Sequence, residues 1–221
     1  MALPLLSLLE TRVLGVLVEK QYTVPDTYPL TLNALVSGCN QKTSRDPVLN
    51  ASDGEVQAAI DHLRTLSLIV ESSGGRVQRY AHNTERVLGL PTQSVALVST
   101  LMLRGPQTAA ELRANSERLH RFADVSAVEG FLHELADRPA GSLVVLLPRA
   151  PGSREPRWAH LLSGPPVIDY TPVANVTEVP ADVTVAEIVA MKANLGQLSA
   201  EVEALRATVA KLCAELGIDV P

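Results

Sequence analysis

Apolar residues follow a helical spacing three times, give way to two short runs around a turn, and then repeat the whole order. Leu9, Val13, Val16 and Leu17 share one face and predict a helix over Leu8–Lys20. Pro25 and Pro29 punctuate the link that follows. Leu32, Leu35 and Val36 predict a short helix over Thr31–Gly38, and Val56, Ala59, Ile60, Leu63 and Leu66 a third over Asp53–Ser67. Leu68–Glu71 and Val77–His82 flank Ser73-Gly74-Gly75-Arg76 and read as a hairpin. In the second copy, helices are expected over Gln93–Leu103, Ala109–Ser116 and Ala127–Asp137, the last with Val128, Phe131, Leu132 and Leu135 inward. Strands at Leu143–Pro148 and Arg157–Leu162 then enclose a turn at Ala150-Pro151-Gly152-Ser153.

Hydroxyl–glutamate pairs mark the helix starts: Ser7/Glu10, Ser52/Glu55, Thr108/Glu111, Ser126/Glu129 and Thr184/Glu187. In this capping box the hydroxyl takes the N3 amide and the carboxylate reaches back to the N-cap amide. Three helices closed by a hairpin is the order of a winged helix, a helix-turn-helix with a β-ribbon attached. The expected fold class is therefore mainly α with small β-hairpins (α+β). Winged-helix domains are expected at 1–90 and 91–165. A Pro-rich linker follows at 166–183, and a coiled-coil helix at 184–221.

That last segment has the most regular period. Ile188, Leu195, Val202, Val209 and Leu216 fall at heptad position a, and Met191, Leu198, Leu205 and Leu212 at d. β-Branched residues at several a positions with mostly Leu at d favour a parallel two-stranded coiled coil. Glu187 and Glu201 at g face Lys192 and Arg206 at e of a partner. Self-association through this seam is the expectation. The alternative is a helix folded back on its own domains.

Composition narrows the function classes. Aromatics are 3%, which argues against stacking platforms for single strands. No apolar run has the roughly 18 residues of a membrane span, and no basic leader opens the chain. With Cys39 and Cys213 in different contexts, this suggests free thiols and a cytoplasmic protein without a membrane partner. The net charge of −5 lies in the tail. Residues 1–90 hold eight Lys/Arg against nine Asp/Glu, residues 91–165 eight against seven, and residues 166–221 three against eight. Both domains thus lack the usual strongly basic footprint of a DNA binder.

The string ETRVLGVLVEKQYTVPDTYPLTLNALVSGCNQKTSRDPV, with EVQAAIDHLRTLSLI and GGRVQRYAHN after it, resembles the YceH-like family of uncharacterised bacterial proteins. The likeness is specific over residues 10–82 and looser to about residue 162. It implies tandem winged helices and a cytosolic bacterial protein. It carries no catalytic residues and no cofactor, and the fold alone does not fix a function.

No enzyme constellation is present in the sequence. His62, His82, His120, His133 and His160 have no metal-ligand spacing, and no Walker A, GxGxxG or GxSxG string occurs. No enzymatic activity and no cofactor are expected. The leading expectation is a dimeric DNA-binding protein acting as a transcriptional regulator. Lys42, Thr43, Ser44, Arg45, Arg76, Arg79, Arg118, Arg121 and Arg154 are the candidates for holding phosphates of double-stranded DNA, with Gln57, His62 and Arg64 towards base edges. Asp53, Glu55 and Asp61 oppose phosphate on the same helix. The alternative is a winged-helix adaptor that binds another protein and no DNA. The arginines at 113, 118, 121, 149, 154 and 157 would then be its contact surface.

Overall fold

A computed structural model describes residues 5–72, 77–149 and 152–166. Among these the chain is α+β, with seven α-helices and two small antiparallel strand pairs. The expected coiled-coil segment lies outside the described residues, as do the linker from residue 167 on and the first hairpin tip at 73–76.

The first repeat runs α1 (Leu8–Thr23), a 3-10 turn (Pro25–Thr27), α2 (Leu32–Cys39), α3 (Asp53–Thr65), β1 (Ile69–Ser72) and β2 (Arg79–His82). Ser7 and Ser52 cap α1 and α3 with complete capping boxes, each hydroxyl accepting from its N3 amide. A short α4 (Thr84–Leu88), closed by left-handed Gly89, links the repeats. The periodicity gave no sign of α4 because five residues are too few to show a period. The second repeat runs α5 (Thr92–Arg104), α6 (Ala109–Asn115), α7 (Val125–Ala136), β3 (Val144–Leu146) and β4 (Trp158–His160). Thr108 caps α6 with a full box. The expected Ser126/Glu129 box does not form. Asp124 is the cap instead, its carboxylate accepting from Ala127 N at 2.8 Å, which puts Ser126 inside the first turn.

The hairpins show how closely one repeat copies the other. β1 pairs with β2 in the register Ile69↔His82, and β3 with β4 in the register Val144↔His160. In each repeat the residue before the α2 or α6 cap adds a bridge to the outer strand: Leu30 to Tyr80, and Gln107 to Trp158. Both bridges are double, with Leu30 N to Tyr80 O at 3.0 Å, the reverse bond at 2.8 Å, and the Gln107 pair at 3.0 and 2.7 Å. Each repeat thus fixes its second helix directly against its hairpin.

α1 and α5 pack together at the centre of one compact unit that includes both repeats. The expected boundary at 90/91 falls between α4 and α5 within that unit. One apolar face was expected on α1, yet every residue from Glu10 to Val18 is buried. α2 and α3 cover one side and α5 the other, and a helix enclosed all round needs no polar face. Gly15 faces α5. A Cβ there would lie 3.0 Å from the Leu103 side chain. No helix among the described residues is long and apolar enough to cross a membrane.

Candidate functional site

The connection between α2 and α3, residues 40–52, carries four of the candidate DNA contacts. Three arginines tie it down. Arg12, fully buried in α1, donates from Nη1 to Cys39 O at 3.2 Å and from Nη2 to Pro47 O at 2.7 Å. Burial, with the charge of Arg45 beside it, holds its guanidinium below the ordinary arginine range. Arg104, at the end of α5, donates to Ser44 Oγ at 2.7 Å. Asp46 N donates to Leu103 O at 2.8 Å, and Asn40 exchanges two 2.8 Å bonds with the Ala51 backbone. Ser44 itself holds a left-handed backbone, φ 59°.

Arg45 is the third clamp. Its side chain is fully buried and forks onto Glu19, with Nη1 to Oε1 at 3.1 Å and Nη2 to Oε2 at 2.6 Å. It also donates to Gly38 O, Ser44 O and Gln41 Oε1. Burial pushes the Glu19 carboxyl up, but the bonds and charge of Arg45, helped by Lys20, outweigh it and hold it below the usual range. The Arg45 side chain, one of the expected phosphate contacts, thus directs its hydrogen bonds inward. Cys39 beside it is a buried core thiol, pushed up to about 12 by burial.

The α3 candidates are engaged as well. Gln57 donates to Asp61 at 3.0 Å and accepts from the Tyr80 hydroxyl at 3.3 Å. His62 Nδ1 bonds the Glu10 carboxylate. Burial raises Glu10, but the Ser7 amide, His62 and the Ser7 hydroxyl together hold it below its ordinary value. Arg64 pairs with Glu71 at 2.8 Å and lies 3.5 Å from Asp61. Arg79 is exposed but donates to Pro29 O at 2.7 Å and Thr27 O at 3.2 Å. Lys42 and Thr43 are exposed, and Arg76 lies outside the described residues.

The second repeat is different. Arg113 braces the turn before α7 through Phe122 O and Ala123 O, and Arg157 pairs weakly with Glu111 at 3.6 Å. Arg121 has only a 3.6 Å contact with Glu117, both largely exposed, which contributes little. Arg118 and Arg154 are exposed and have no partner among the described residues. The exposed face of α7 presents Ser126, Gly130 and His133 beside Glu129 and Glu134.

Across residues 6–153 the chain matches the family described as "Protein of unknown function, DUF480". It belongs to that family. A UPF0502 protein of Methylibium petroleiphilum is 61% identical over 220 residues, covering 99% of this chain and 93% of that protein. UPF0502 proteins of Burkholderia pseudomallei strain 668 and Burkholderia orbicola are 58% and 57% identical, each over 99% of this chain and 92% of their own length. The YceH-like resemblance read from residues 10–82 thus extends over nearly the full chain in this bacterial DUF480 family.

The sequence reading missed Arg12, Glu19 and Arg104. The signal was available in Arg12, a charge set between apolar Leu9 and Val13 in the helix that the core encloses.

Proposed function

We propose that this DUF480 member is a tandem winged-helix protein that binds duplex DNA mainly through its second repeat. Residues 184–217 would pair two copies in parallel, as in a dimeric transcriptional regulator. The reading is of a binding protein, not an enzyme. One observation carries it: the cations of the first repeat are largely spent inside the protein, while Arg118, Arg121 and Arg154 stay exposed. Arg118 and Arg121 precede α7 in the chain, and Arg154 lies in the connection between β3 and β4. In a winged helix the turn before the third helix and the wing after it are the parts turned towards a duplex. Lys42 adds an exposed cation from the corresponding turn of the first repeat.

The test is binding to random duplex DNA as a function of salt. The wild type should bind at about 50 mM salt and weaken steeply as salt rises. The triple variant Arg118→Gln, Arg121→Gln, Arg154→Gln should weaken binding almost equally on all sequences. It should also flatten the log K against log salt slope by about 0.9 for each phosphate left without its arginine. An unchanged slope in that variant would refute the assignment.

A second reading, an adaptor that binds protein and not DNA, is favoured by the α3 surface. Asp53, Glu55 and Asp61 are exposed there, and its one arginine is paired with Glu71. Absence of wild-type duplex binding at about 50 mM salt would decide for the adaptor. Under either reading, Leu205→Asp puts a charge at a central d position of the proposed seam. Light scattering should show the mass fall from dimer to monomer. A wild type that is already monomeric would remove the coiled coil from the proposal.

A further inference from the structure

Two arginines lining one cleft, Arg104 and Arg118, make no ion pair among the described residues. The cleft opens where the C-terminal halves of α1 and α5 meet the turn after α6, and Glu19, Ser44, Arg104, Asn115 and Arg118 are among its walls. It encloses about 70 Å³, room for several waters. That is room for one small tetrahedral group. Glu19 is the only acidic residue on the walls, and its charge is matched by the buried fork of Arg45 behind it. Arg104 makes one side-chain bond among the described residues, to Ser44 Oγ at 2.7 Å, and no ion pair. Arg118 makes none. The carboxylate next to Arg118 in the chain, Glu117, turns to Arg121. Burial pulls the Arg104 guanidinium below the ordinary range, opposed by the charge of Glu19 and aided by that of Arg45.

Two guanidiniums and a serine hydroxyl around a small, partly enclosed space are the donor set of an oxyanion site. Ser44 already accepts from Arg104, so its own proton is available to a ligand oxygen. We propose that this cleft binds a phosphate group, held by Arg104 and Arg118 with the Ser44 hydroxyl as third donor. The group is either a free phosphate or a backbone phosphate of DNA. The site shares Arg118 with the proposed DNA surface, while Arg104 belongs to the cleft alone.

The experiment is calorimetric titration of the full chain with inorganic phosphate at constant ionic strength, with chloride as the control anion. Saturable binding of one phosphate per chain is expected. Arg118→Gln should weaken it by about tenfold or more, the loss of one charge-assisted bond. Arg118 is exposed, so this variant should fold as the wild type does. Arg104→Gln should do the same, and Arg86→Gln, an exposed arginine outside the cleft, should not. If phosphate displaces duplex DNA and Arg104→Gln weakens both ligands, the group comes from the DNA backbone. If Arg104→Gln removes phosphate binding and leaves duplex affinity unchanged, the ligand is a free phosphate. A protein that binds no duplex at all still reports on the cleft through the phosphate titration. Absence of saturable phosphate binding, or binding untouched by both cleft variants, overturns the proposal.

Discussion

Arg45→Ala should destabilise the fold by about 3–5 kcal/mol, the usual loss when one member of a buried ion pair is removed. The variant strips Glu19 of both arginine bonds and leaves its carboxylate, 16% exposed, with Lys20 alone at 3.3 Å. It also releases Gly38 O and Ser44 O, whose partners in the connection from α2 to α3 are otherwise supplied by this side chain. Urea denaturation should show a lower midpoint with an unchanged m-value. Arg45→Lys should recover little, because one ammonium cannot reproduce five bonds made from a planar fork. Glu19→Gln placed on top of Arg45→Ala should restore part of the loss, since the stranded charge is then gone. A single variant that unfolds like the wild type would refute the clamp. If it also bound DNA less tightly, Arg45 would be a contact after all.

The same residue marks where sequence reasoning stopped. Arg45 lies in a polar run, Asn40 to Asp46, between two helices, and such a run reads as a solvated turn. What turns Arg45 inward is Glu19 on another helix, 26 positions away, and no local pattern encodes that pairing. The capping boxes at Ser7, Ser52 and Thr108 were legible because each is a contact within four residues of chain. Ser126 failed although its box would have been equally local. Asp124 competed for the same helix end, and its extended backbone won the cap. The α+β class and the order of helices and hairpins followed from periodicity, which reports burial on each element separately. How the elements pack did not. Burial of α1 on all sides depends on α5, roughly 80 residues on, and an apolar stretch with Arg12 inside it does not announce a second neighbour. On the candidate site, the sequence reading supplied only the order of the cations along the chain. Which of them the fold would consume was decided by carboxylates and carbonyls brought from elsewhere, such as Glu71 for Arg64 and Pro29 for Arg79.

Acid should loosen the protein well before its carboxylates titrate, and the repeat itself explains why. His82 and His160 occupy one equivalent place in the two hairpins, opposite Ile69 and Val144. Both are held neutral by burial, which lowers each to about 4 from an ordinary 6.5. His82 Nδ1 accepts a long bond from Thr84 N at 3.4 Å, while its Nε2 and the Nδ1 of His160 have no partner among the described residues. The unfolded chain takes up a proton near pH 6.5 that the folded chain refuses until about 4. The unfolded state therefore binds more protons in that window, and stability must rise with pH across it. The stabilisation is complete above 6.5 and is lost as pH falls towards 4. At about pH 5 the loss should be about 2 kcal/mol for each histidine, at about 1.4 kcal/mol per pH unit below 6.5. Urea midpoints between about pH 7.5 and 5 separate this from carboxylate effects, because Glu10 and Glu19 are held below the usual carboxylate range. His82→Gln and His160→Gln should each remove about half of the slope, and the double variant should be nearly flat. A wild type whose midpoint does not move over that range, or a double variant as acid-sensitive as the wild type, would show that the two hairpin histidines do not set the acid limit of the fold.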